Sequence, residues 1–246
     1  MMRKFGLIGK DIDYSFSRSY FKTKFENENI TDATYVNFDL EVISLFDIQT
    51  RHTPNLSGCN VTIPYKEVII PYLDKLNKTA KAIGAVNTIR VTKKGKLVGY
   101  NTDYYGFKKT LEPYLKKQHK KALILGTGGA SKAVAYALKK LGINYSFVSR
   151  TTSKHSKYSY NTLTEKNITK HTLLINCTPL GTHPNIEACP DISYSGITDQ
   201  HILFDLIYNP EETQFLKLGK QQGATTINGH RMLELQAEKS WRIWNK

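Results

Sequence analysis

One stretch constrains the fold more than any other: residues 121–142, KALILGTGGASKAVAYALKKLG, run as an apolar strand, a glycine turn and an amphipathic helix. Between Ser131 and Leu141 the apolar residues Ala133, Val134, Ala137, Leu138 and Leu141 share one helical face, so the helix packs back on a sheet. Gly126 permits a tight turn and Gly128 lets the backbone approach a pyrophosphate, while Gly129 and Ala130 begin a helix whose unpaired N–H groups favour an anion. Ser131 stands where the usual fingerprint has its third glycine or alanine. The spacing predicts a dinucleotide site at Gly126, Gly128, Gly129, Ala130 and Ser131; the bland alternative is a glycine loop that merely joins strand to helix.

The following strand ends in Ser149, Arg150 and Thr151, where an NAD enzyme typically carries an acid for the ribose diol. Here that acid is missing. Arg150, with Thr151, Ser153 and Lys154, offers positive charge and hydroxyls instead. A guanidinium fork matches phosphate oxygens that an acid would repel, so NADP is preferred over NAD.

Around this crossover, short apolar runs alternate with helical stretches, the pattern of an α/β protein. Candidate strands are 5–9, 34–38, 58–62, 88–92, 97–100, 122–125, 145–149, 173–176, 202–205 and 225–227. Residues 88–100 read as a hairpin turning on Lys93, Lys94 and Gly95, the one clearly antiparallel element. The 246 residues are enough for one or two compact units. A boundary is expected within 101–121, where lysine accumulates, and a second crossing near Asn228 and Gly229. Past it, a helix over Met232–Trp244 carries Leu233, Ala237, Trp241 and Trp244 near one stripe, with Glu238 and Arg242 as a surface pair. Spacing alone leaves open which unit that stripe docks on. Residues 151–162 read as a loop or a poor helix, and no internal repeat is present.

The charge balance is 35 basic against 21 acidic residues, or +14, which raises a nucleic-acid reading. Its spread argues against that partner: the densest stretch, 108–121, lies near no zinc-finger or RNP-type motif. A positive field that draws in small anionic ligands explains the same count. No apolar run approaches membrane-spanning length and no secretory signal opens the chain. Three cysteines without metal-type spacing suggest neither a disulfide framework nor a metal site, and fit a reducing cytoplasm.

Four further polar clusters fall at strand ends or turns: Ser15 with Ser17, GCNVTIPYKE over 58–67, GAVNT over 84–88 and GYNTDYYGF over 99–107. Singly each has a dull explanation. Ser15 or Ser17 caps a helix at Arg18, Asn87 and Asn101 shape turns, Asp103 is an N-cap and Lys66 a surface lysine. Their joint occurrence ahead of a nucleotide fold favours a site.

With SxS at Ser15 and Ser17, NVTxPxK at 60–66, GAVNT, NTDxxG at 101–106, GxGGAS at 126–131, SRT at 149–151, NCTPLG at 176–181, DLIYNP at 205–210 and GHRMLELQA at 229–237, the chain resembles the shikimate dehydrogenases. These are NADP-dependent reductases of 3-dehydroshikimate in the shikimate pathway to chorismate and aromatic amino acids. The resemblance covers nearly the whole chain. It implies two α/β domains: a discontinuous substrate-binding catalytic domain, 1–102 plus 229–246, to which the carboxy-terminal helix returns, and a Rossmann-type doubly wound NADP domain, 103–228. By resemblance Lys66 and Asp103 are the catalytic pair. Ser15 and Ser17, helped by Thr62 and Tyr208, take the substrate carboxylate, while Asn60, Asn87, Thr102, Asp103 and Gln236 take ring hydroxyls. Thr178 and Gly229 border the cofactor together with the glycine turn, Ser149, Arg150, Thr151 and Lys154. The partners implied are a small-molecule substrate and NADP, with no nucleic acid and no membrane; the chain is a monomer or a homodimer. Three departures stand out: Tyr14 where a histidine is common, Arg18 where a proline is, and Ser149 where an asparagine is. Arg18 is read as pointing to solvent.

Overall fold

The computed structural model describes residues 2–13, 15–152 and 156–246. Tyr14, Ser153 and Lys154, named above, lie outside the described residues. The chain divides into two compact units, Met1–Thr102 with Gln236–Lys246, and Asp103–Leu235.

The first unit contains β1 (Arg3–Gly9), α1 (Phe16–Asn27), β2 (Ala33–Asp39), α2 (Phe46–Arg51), β3 (Leu56–Val61), β4 (Lys75–Leu76), α3 (Lys78–Ile83), β5 (Thr88–Val91) and β6 (Leu97–Tyr100). They form a six-stranded sheet in the order β2-β1-β3-β5-β6-β4. The hairpin of β5 and β6 is antiparallel, and so is β5 against β3, a second antiparallel pairing that the sequence did not signal. One core packs Ile8, Phe38, Leu40, Phe46, Val61 and Ile69. Another joins Phe5, Leu7, Phe21 and Tyr35 to Ala237 and Trp244.

The second unit contains α4 (Asp103–Leu111), β7 (Lys121–Leu125), α5 (Gly129–Lys140), β8 (Asn144–Ser149), β9 (Tyr158–Ser159), α6 (Glu165–Lys170), β10 (Leu173–Asn176), β11 (Ile202–Asp205), α7 (Gln214–Gln221) and β12 (Thr225–Ile227). Its six strands are all parallel in the order β12-β11-β10-β7-β8-β9. Counted from β7 this is the 3-2-1-4-5-6 order of the Rossmann fold, with its reversal between β7 and β10. Leu123, Ile124, Leu174, Ile175, Leu203 and Phe204 are buried to within 1%. Continuous burial of this kind is what helices on both faces of a parallel sheet impose. Residues 158–162, read from the sequence as part of a loop or poor helix, supply the short edge strand β9 and a 3₁₀ turn with a capping box at Ser159.

The last helix, α8 (His230–Trp244), corrects two expectations. The second crossing lies at Leu235/Gln236, inside the helix, and not at Asn228–Gly229. Gly229 is tied to the second unit: its N–H donates to the Ile207 carbonyl at 2.9 Å, and a Cβ there would stand 2.1 Å from the Leu206 oxygen. Met232 belongs to a core of the second unit, and Ala237 and Trp244 to one of the first. Glu238, expected to pair with Arg242, reaches back to α1 instead. It accepts from Tyr20 Oη at 2.7 Å and pairs with Lys24 Nζ at 2.7 Å. Lys24 is 8% exposed and also holds Glu28 at 2.6 Å; a buried ammonium needs such paired carboxylates to stay charged.

Candidate active site

In the first unit, the chain leaving β1 turns back onto the end of β3. Thr62 N–H donates to the Ile8 carbonyl at 2.8 Å, and Ser15 N–H to the Ile12 carbonyl at 3.1 Å. Helix α1 begins at Phe16, two residues before the expected start at Arg18, because Ser15 is its N-cap and accepts from Ser17 N–H at 3.2 Å. Ser15 and Ser17 therefore sit on the first turn, where the positive helix end favours a carboxylate. Arg18 is exposed.

Lys66 follows the turn after β3. Its carbonyl accepts from Val86 N–H at 2.7 Å, which fixes its backbone one residue from Asn87. Its neighbour Tyr65 is buried, with the hydroxyl donating to the Leu40 carbonyl at 2.6 Å. The lysine is half-buried on this turn. Asp103 is buried and opens α4 in the second unit.

Asn60, Asn87, Thr102 and Gln236 come together in one buried polar cluster of the first unit, each 5% exposed or less. Thr102 N–H donates to Asn87 Oδ1 at 2.6 Å, and this backbone donor sets the orientation of the amide. Asn87 Nδ2 then faces Thr102 Oγ1 at 3.0 Å and Gln236 Oε1 at 3.2 Å. With Gln236 Oε1 occupied, its side-chain nitrogen is the end left for an outside acceptor. Asn60 is held internally: Oδ1 accepts from Tyr35 Oη at 2.9 Å, and Nδ2 donates to the Asn87 carbonyl at 3.2 Å and to Ser240 Oγ at 3.0 Å. Sequence reasoning missed Tyr35, Thr88 and Ser240. Thr88 was legible as the last residue of GAVNT, whereas a serine within a helix and a tyrosine within a strand gave no signal.

In the second unit the glycine turn lies at the reversal point of the sheet. Gly126 has φ +102°, and a Cβ there would meet Thr178 Cγ2 at 3.1 Å, so glycine is required both by conformation and by the close approach of the loop after β10. Around Gly128 no atom lies within 4 Å of a would-be Cβ, leaving the amino end of α5 open. That opening fits a pyrophosphate. Ser131 is fully buried with its hydroxyl on the Gly128 carbonyl at 2.6 Å, so it shapes the turn from within. Ser149 Oγ is likewise engaged, bonding the Thr151 carbonyl and, at 2.8 Å, Ser156 Oγ. Arg150 and Thr151 are exposed at the end of β8.

The loops after β10 and β11 hang on one buried acid. Asp205 accepts from Thr213 Oγ1 at 2.6 Å, Ile207 N–H at 3.0 Å and Asn176 Nδ2 at 3.0 Å. Asn176 Oδ1 in turn receives Thr178 N–H at 3.0 Å and Thr178 Oγ1 at 2.7 Å. Burial pushes the Asp205 carboxyl up to about 6, against the three donors that hold it down. Tyr208, half-buried, follows on the same loop of the second unit.

A parallel sheet of this order, with an open glycine turn at its reversal, defines a dinucleotide-binding α/β protein; the neutral polar cluster and the serine-bearing helix end belong to the first unit and suit a small polar acid. Comparison with known proteins narrows the class. Residues 7–89 match the family described as shikimate dehydrogenase substrate binding domain. Over 97% of its length the chain is 39% identical to the shikimate dehydrogenase (NADP(+)) of Methanosphaera stadtmanae, covering 90% of that protein. A crystal structure of shikimate dehydrogenase 1 from Peptoclostridium difficile is 39% identical with a TM-score of 0.84, covering 99% of this chain and 92% of that one. The Thermus thermophilus shikimate 5-dehydrogenase, solved in complex with NADP(H) and shikimate, is 28% identical with a TM-score of 0.87, covering 99% of this chain and 93% of that one. The chain belongs to the shikimate dehydrogenase family. No helix among the described residues is long and apolar enough to cross a membrane.

Proposed function

We propose that this chain reduces 3-dehydroshikimate to shikimate with NADPH, in a cytoplasmic setting that suits its three free cysteines. One observation carries the reading: a neutral donor and acceptor cluster, Asn87, Thr102 and Gln236, shares a unit with two serines on a helix amino end. A polyol acid needs both, because its carboxylate seeks the helix end and its hydroxyls seek paired amides. Thr62 and Tyr208 complete the carboxylate side. A ligand without those hydroxyls leaves buried amides unpaired and is rejected.

The bound nicotinamide supplies the hydride. The Lys66 ammonium stabilises the developing alkoxide and gives it a proton, while Asp103 holds the lysine and orients a substrate hydroxyl. Backbone around Gly126, Gly128, Gly129 and Ala130 takes the pyrophosphate; Ser131 and Ser149 keep its walls in shape. Arg150, Thr151 and Lys154 take the 2′-phosphate, and Thr178 and Gly229 border the remainder of the cofactor. Residues 1–102 with 236–246 form the substrate domain in this reading, and the parallel-sheet unit forms the NADP domain.

The test is direct: NADPH absorbance falls on adding 3-dehydroshikimate, with quinate and NAD as competing pairs. Dominance of NAD with quinate assigns a quinate/shikimate dehydrogenase instead, and silence from folded protein assigns a nucleotide-binding regulator. Lys66→Ala lowers turnover by about a hundredfold or more, in the range of lost acid–base catalysis; near-normal turnover removes Lys66 from that role.

A further inference from the structure

Ser240 lies on α8, one turn past Gln236, and is fully buried. Its hydroxyl donates to the Gln236 carbonyl at 2.9 Å and lies 2.8 Å from Thr88 Oγ1, 3.2 Å from Thr102 Oγ1 and 3.0 Å from Asn60 Nδ2. One donor and two lone pairs leave little beyond this. With its proton on the Gln236 carbonyl, the oxygen must accept from Asn60 and from a threonine hydroxyl. That direction propagates: Asn60 is obliged to turn Oδ1 towards Tyr35, whose hydroxyl donates to it at 2.9 Å. Tyr35 is itself buried, with Ser17 as a polar neighbour that eases the ionisation burial opposes.

From this geometry we infer that Ser240 is a positioning residue for substrate recognition: it sets the hydrogen-bond directions of Asn60, Thr88 and Thr102, and Tyr35 holds the other side of Asn60. The inference rests on the proposed shikimate reaction and adds to it a residue that is to touch no substrate atom. None of these amide and hydroxyl side chains carries a formal charge, so hydrogen-bond direction is a main determinant of how they are ordered. Losing the hub lets Thr102 rotate away from Gln236 Oε1, now 3.3 Å distant, and lets the Gln236 nitrogen wander from the acceptor it must meet.

The experiment measures KM and kcat for shikimate and KM for NADP+ in the full chain carrying Ser240→Ala, Ser240→Cys or Tyr35→Phe. Ser240→Ala is expected to raise KM for shikimate about five- to tenfold, the scale of one misdirected buried hydrogen bond. The fall in kcat is smaller than that rise, and KM for NADP+ is unmoved. Ser240→Cys keeps the volume but makes only weak hydrogen bonds, so it follows alanine; Tyr35→Phe raises KM for shikimate in the same sense. If Ser240→Cys behaves as wild type while Ser240→Ala does not, packing is the cause and the inference is overturned. It is overturned equally if shikimate KM is unchanged in all three, or rises together with that for NADP+. Should a serine variant not fold, Tyr35→Phe decides by the same split. A wild type that does not oxidise shikimate at all sinks the underlying reading, and the inference with it.

Discussion

Trp244 is the residue whose loss most directly tests how the terminal helix completes the first unit. It is 6% exposed, stacks on Phe5 at 4.9 Å between ring centroids, and lies 5.4 Å from Phe21. Its indole N–H donates to the Ile89 carbonyl at 2.9 Å, and a Cβ on Gly58 would come within 2.3 Å of the indole. Two substitutions separate the terms. Trp244→Phe keeps most of the ring and removes the donor, at a cost of about 1–3 kcal/mol for a buried carbonyl left unpaired. Trp244→Ala adds the cavity and should cost about 3–5 kcal/mol. At a urea slope of about 2 kcal/mol per molar, alanine lowers the midpoint of the first unit by about 2 M. The chain has two tryptophans, so in either variant Trp241 alone reports the transition by fluorescence, with circular dichroism following the whole chain. An alanine midpoint within about 0.5 M of wild type would show that the helix is not anchored here and would refute the packing argument.

Two other outcomes follow from the second unit. Arg150→Asp weakens NADPH binding far more than NADH, read from the KM of each; equal losses would show that the arginine does not face the 2′-phosphate. Asp205 carries a carboxyl raised from 3.8 to about 6, so the folded state binds the extra proton and this group's stabilisation, complete below pH 4, is lost as pH rises through 6. A rise of that size corresponds to about 3 kcal/mol. In Asp205→Asn that loss disappears, and urea unfolding of the two proteins at pH 4.5 and 7.5 checks it; identical pH dependence in both would place the titration elsewhere.

Particular residues show why parts of this architecture could be read from sequence. Residues 121–142 announced their crossover because a strand, a glycine turn and a 3.6-residue stripe are all local patterns. The ten expected strands were legible for the same reason, whereas β4 and β9 have two residues each, too few for any period to register. Pairing between distant strands leaves no local mark, so β5 against β3 went unseen. Glu238 looked like a partner for Arg242 because i,i+4 spacing is visible in one dimension, while Lys24 is not. Tyr35 and Ser240 were invisible on the same account: their importance lies in whom they meet across 25 and 180 positions from Asn60.

The excursion of the chain through the second unit before it returns as Gln236–Lys246 sets a timetable for biosynthesis. On the ribosome the parallel sheet emerges whole while the earlier sheet still lacks Trp244, Gln236 and Ser240. Nascent chains that have emerged only as far as Leu235 are therefore expected to grip nucleotide yet be blind to the polyol, since the polar cluster of the first sheet still lacks Gln236 and Ser240.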